Sequence, residues 1–63
     1  MIIFLVNEYG VAFKNKDEAI AFLRDKEYNE KKLAYYKRAF SATYSEETIL
    51  YLINGRISEI ELK

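Results

Sequence analysis

The side chains able to do acid-base work in this chain are carboxylates: Asp17 beside Glu18, Glu46 beside Glu47, and Glu59 two residues from Glu61. On a strand the last pair shares one face, an arrangement that could hold a general acid and a general base. Such a pair also needs a cleft that desolvates one carboxyl, and a 63-residue chain has little volume for one. The simpler role of Glu59 and Glu61 is a solvated strand face that discourages edge pairing. That of Asp17 and Glu18 is to complement the positive start of a helix. With no His and no Cys there is no nucleophile-base pair and no usual transition-metal site. The only glycines, Gly10 and Gly55, are each explained by a turn, so no phosphate-cradling loop is present. The expectation is a protein that is not an enzyme and takes no cofactor and no metal.

Binding chemistry has more to work with. Lys31, Lys32, Lys37 and Arg38 are the only charges between residues 31 and 42, on a chain whose ten basic and ten acidic residues otherwise balance. Tyr35 and Tyr36 lie among them. Cations interleaved with aromatics suit nucleic acid, the cations meeting phosphates and the rings stacking on unpaired bases. A helix that must also bury Leu33 and Phe40 presents the same cations simply as its wet face, and a neutral chain lacks long-range attraction for nucleic acid. The six tyrosines, at positions 9, 28, 35, 36, 44 and 51, are many for this length. Tyr36 and Tyr51 fit core positions. Tyr28, Tyr35 and Tyr44 fall where exposure is expected and form, with the basic helix, a contact patch or a boundary with wetted hydroxyls.

A composition 51% hydrophobic and 32% charged is too apolar for a disordered chain and describes one small domain. At this size folding buries only about 60% of the surface the unfolded chain exposes, and neither a disulfide nor a zinc ion is available as a staple. Self-association is the expected remedy. No window approaches the ~20 apolar residues of a membrane span, and the opening Met1 to Val6 lacks the basic start and length of a signal peptide, so a cytoplasmic location without membrane contact is expected. Residues with AT-rich codons (Phe, Tyr, Met, Ile, Asn, Lys) far outnumber Gly, Ala, Arg and Pro, which fits an AT-rich bacterium or one of its phages or other mobile elements.

The elements that must position these residues can be read along the chain. Ile2 to Val6, a turn at Asn7-Glu8-Tyr9-Gly10, and Val11 to Lys14 form a hairpin in which Val6 opposes Val11 and Phe4 opposes Phe13. A helix follows from Lys16, with Asn15 as N-cap and Glu18 reaching back as in a capping box, and it ends near Tyr28-Asn29. Asn29 caps a second helix with Leu33, Tyr36 and Phe40 on one face; one bent helix to about Ala42 is the alternative. Thr48 to Ile53, Asn54-Gly55 and Arg56 to Leu62 read as a second hairpin. The competing reading makes Ser45 an N-cap and Glu46 to Ile53 a short helix ended by Gly55. The fold class is therefore α+β, in the order ββααββ, with an antiparallel sheet and helices on one face.

Helices over the face bearing Ile2, Phe4 and Phe13 leave Ile3 and Leu5, with alternate residues of Thr48 to Ile53, as a second apolar face that this short chain cannot cover. A two-fold dimer stacking sheet on sheet, or a foreign protein, supplies the cover. The leading expectation is thus a protein-protein interaction module, a small homodimer or an inhibitor or adaptor of a larger protein. Ile3 and Leu5 would supply affinity, and Tyr28, Lys31, Lys32, Tyr35, Tyr36, Lys37, Arg38 and Tyr44 the rim contacts. The alternative is a small nucleic-acid-binding regulator using the basic, Tyr-rich helix.

Overall fold

A computed structural model describes all residues from 1 to 63. Strand β1 (Ile2–Val6) turns back into β2 (Val11–Phe13), followed by helices α1 (Lys16–Glu27), α2 (Glu30–Phe40) and α3 (Glu46–Asn54) and a last strand, β3 (Ile57–Glu61). The three strands form one antiparallel sheet in the order β2-β1-β3. This is an α+β fold.

The first hairpin has the expected register, Phe4 opposite Phe13 and Val6 opposite Val11. Gly10 closes the turn at φ +63°, where its N–H donates to the Val6 carbonyl at 2.9 Å, and only a residue without a Cβ takes that backbone at no cost. Helix α1 begins at Lys16 as expected, although the Asn15 side chain makes no capping hydrogen bond. Asn29 does cap: its Oδ1 accepts from the Lys32 N–H at 2.9 Å, so the chain carries two separate helices here and not one bent helix.

The second hairpin is replaced by the competing arrangement. Ser45 Oγ accepts from the Thr48 N–H at 3.2 Å, Glu46 and Glu47 occupy the positive end, and Ile49 and Ile53 point one turn apart into the core. Gly55 has φ −67° and ψ −14°, an ordinary right-handed conformation; a two-residue Asn-Gly hairpin turn of the favoured kind needs positive φ at both residues. Tyr51, expected in the core, is 78% exposed because the helical period turns it away from Ile49 and Ile53. Arg56 to Leu62 does hold a strand, but its partner is β1: Phe4 faces Glu59, Ile3 faces Ile60 and Leu5 faces Ser58.

The core contains Val6, Ala19, Leu23, Tyr28, Ile49 and Ile53, with Phe4, Val11, Phe13, Ile20 and Phe22 packed around it. These residues place α1 and α3 on the sheet face that carries Phe4, Val6, Val11 and Phe13. Helix α2 contributes no buried residue. It projects as an arm, which makes the molecule 45 × 19 × 14 Å, with a radius of gyration of 12.9 Å. A spherical chain of this length would have about 10.6 Å. No helix is long and apolar enough to cross a membrane.

Candidate functional site

Two surfaces and one partly exposed polar junction contain the residues of interest. On the sheet face away from the helices, Ile3 and Leu5 alternate with the inward Phe4 and Val6. The register sets Ile60 beside Ile3, and Ala12 and Ser58 on either side of Leu5. Ile60 and Ser58 thus replace the residues of Thr48 to Ile53 that sequence reasoning assigned to this face. The face is apolar and uncharged at its centre, and none of these residues packs against the core. β3 lies at the sheet edge, so its outer backbone groups pair with nothing in the chain.

The arm carries the basic surface. Lys31, Lys32, Lys37 and Arg38 are all exposed, and none pairs with a carboxylate; the ion pairs in the molecule are Arg24–Glu46, Arg56–Glu8 and Arg56–Glu27. Lys31, Tyr35 and Arg38, at i, i+4 and i+7, fall in one stripe on the side opposite Leu33. Tyr35 is 48% exposed and meets Tyr36 and Phe40 edge-on at 5.9 and 6.0 Å. Phe40 at the arm's tip is 67% exposed.

Tyr28 is not on this surface. It is buried in the core, because the chain turns inward between α1 and α2 to bring the two helices together, and its ring lies 5.5 Å from the Arg56 guanidinium. Tyr36 and Tyr44 are half-buried and continue from it, with ring centroids 6.4 Å apart for Tyr28–Tyr36 and 5.9 Å for Tyr36–Tyr44. These three tyrosines hold the base of the arm. Of the arm's rings, Tyr35 and Phe40 face solvent, and only Tyr35 lies among the exposed cations.

Around that base lies a polar junction with no signal in the sequence, because its members come from segments far apart in the chain. Glu27 accepts a hydrogen bond from the Tyr9 hydroxyl and lies 3.9 Å from Arg56 Nη1; Arg56 Nε reaches Glu8 at 3.1 Å. The Tyr36 hydroxyl donates to the Glu27 carbonyl at 3.1 Å. The hydrogen bond to the Glu27 carboxylate pushes the Tyr9 phenol above its ordinary pKa, and burial does the same for Tyr28 and Tyr36. Phenols shifted upward in this way stay protonated near neutrality. Glu59 and Glu61 are exposed on β3 opposite Phe4 and Ile2, without a cleft around them.

A groove of about 480 Å³ opens where α1, α2 and α3 meet, with Leu33, Tyr28 and Ile49 in its lining and Asp25, Glu30, Glu46 and Arg24 around them. A smaller groove of about 210 Å³ shares Leu33 and runs on along the arm to Ala42 and Tyr44. Sequence reasoning found neither, since both arise from how α2 leaves the body. Comparisons with protein-family models, with curated proteins and with solved structures return no match to this chain.

Proposed function

We propose that the chain is a non-enzymatic protein-interaction module that binds through the helix-free face of its sheet and acts by occluding a surface of a larger protein. The observation that carries this reading is the row Ile3, Leu5 and Ile60, apolar on a face that no helix covers. Strands of these lengths make a flat patch of about 240 Å². A stable interface needs about 800 Å² from each side. A copy stacked sheet on sheet covers little beyond the patch. A larger protein can also engage the flanks and the free edge of β3, adding a strand to the sheet. An inhibitor or adaptor therefore fits the geometry better than a stacked-sheet homodimer.

A photo-crosslinking residue at Ser58, between Leu5 and the sheet edge, tests this in the native cell. The expected result is one discrete protein adduct that is lost on Leu5→Glu and not formed from Glu47 on α3. The purified adduct partner should then bind the chain directly, and at least tenfold more weakly when Leu5 is Glu. Adducts formed equally from Glu47, or direct binding indifferent to Leu5→Glu, would overturn the reading.

The stripe of Lys31, Tyr35 and Arg38 favours one second reading, binding of single-stranded nucleic acid. It predicts that affinity for a labelled oligonucleotide falls with salt at a log-log slope of about −0.7 per phosphate neutralised and is lost in Lys31→Glu/Arg38→Glu. Binding that is absent at low salt disposes of it.

A further inference from the structure

The arm bears two features that lack a counterpart within the chain. At its tip, Phe40 is the most exposed phenylalanine, and Lys37, one turn earlier on the same side of the helix, has no carboxylate partner. At its base, the larger groove has an apolar lining in Leu33 and Ile49 and a rim on which Asp25 and Glu30 are unpaired, Glu46 alone being tied to Arg24. The groove has ample room for a phenyl ring, and its unpaired rim carboxylates are opposite in sign to the arm, which concentrates +4 between residues 31 and 42 while the rest of the neutral chain is acidic. Tip and groove thus match in polarity and charge, and the groove is large enough to admit the ring.

They cannot meet within one molecule. Leu33 and Phe40 are seven residues apart on one helix, about 10.5 Å along a rigid axis. We propose that they meet between two molecules: α2 pairs antiparallel with α2 of a second copy, so that each Phe40 enters the groove at the base of the partner's arm and each Lys37 reaches its acidic rim. Because donor and acceptor lie at opposite ends of the same helix, the antiparallel arrangement satisfies both ends at once and closes as a two-fold dimer. The pairing covers the helix that contributes no fully buried residue to the core. It leaves the face of Ile3, Leu5 and Ile60 free, so it stands independently of the function proposed above.

Light scattering and sedimentation equilibrium of the purified chain should show a dimer that weakens with salt and does not change with Leu5→Glu. Phe40→Ala, at a position already in solvent in the monomer, should raise the dimer dissociation constant at least tenfold. Lys37→Glu alone places a carboxylate against the acidic rim, and Asp25→Lys/Glu30→Lys alone places cations against a basic tip, so each variant should be monomeric. Mixed in equal amounts they should form a heterodimer, in which both contacts regain opposite charge. That rescue also shows that both variants are folded. A chain that stays monomeric at several hundred micromolar, a dimer indifferent to Phe40→Ala, or a mixture that stays monomeric would overturn the proposal. So would an apparent dimer that disappears when co-purified nucleic acid is digested.

Discussion

The two glycines illustrate how the same residue type does opposite work. Gly10 sits at φ +63° with open space where a Cβ would be, so Gly10→Ala should lose about 1 kcal/mol from backbone strain alone. Gly55 is right-handed and its nearest neighbour to an added Cβ is the Leu52 carbonyl oxygen at 3.5 Å, an ordinary contact. Gly55→Ala should therefore be neutral or stabilise by up to about 1 kcal/mol, by restricting the unfolded chain. Urea unfolding of the two variants checks this; a large loss at Gly55 would speak for the hairpin turn. The tyrosines make a second expectation. Tyr9, Tyr28 and Tyr36 have folded pKa values above the unfolded value near 10, so the folded state holds their protons more tightly. Their contribution to stability is complete below about pH 10 and is lost as pH rises through the folded values. The urea midpoint should fall above pH 10, and less steeply in Tyr28→Phe; parallel curves would contradict the role given to burial.

At the scale of elements, capping separates helices held by their own ends from one held by packing. Asn29→Ala and Ser45→Ala each remove a side-chain bond to a backbone N–H and should cost about 1 kcal/mol. Asn15→Ala removes no such bond and should cost only a few tenths. Helix α1 is anchored by buried Ala19 and Leu23, and α3 by Ile49 and Ile53, whereas α2 has its cap, half-buried Leu33, the tyrosine contacts at its base and a left-handed Ser41 at its end. At dilutions where the chain is monomeric, amide exchange should be fastest in α2; equal protection across the three helices would show that the arm is held by contacts beyond these.

For the molecule as a whole, six buried residues support 63. Total stability of about 3–9 kcal/mol is expected at this length. Leu23→Ala, at a fully buried position, should cost about 2–5 kcal/mol and leave a loosened or unfolded chain near body temperature, read from near-ultraviolet circular dichroism. Tyr51→Ala should stay within about 0.5 kcal/mol of the parent, since that side chain is in solvent. The elongated shape follows from the same shortage: α2 lies at the margin of the core because two helices already fill the covered face of a three-stranded sheet, and most of its surface stays in solvent.

What the sequence determined by itself was local. The register of the first hairpin, the starts of α1 and α2 and the break at Tyr28-Asn29 follow from turn residues, caps and apolar spacing within a few positions of one another. The Ser45 cap was legible too, but residues 48 to 53 carry both an alternating pattern (Ile49, Tyr51, Ile53) and a helical one (Ile49, Ile53). Tertiary packing chose the second by burying Ile49 and Ile53 beside Leu23. Likewise Ile57 to Glu61 is a strand in either case, but whether it pairs locally or with Ile2 to Val6 depends on a free edge more than fifty residues away. The open face was legible through Ile3 and Leu5, and the basic arm through its charges. The inward turn of Tyr28, the Glu27–Arg56 junction and the groove beneath the arm were not, because each exists only where segments distant in the chain come together.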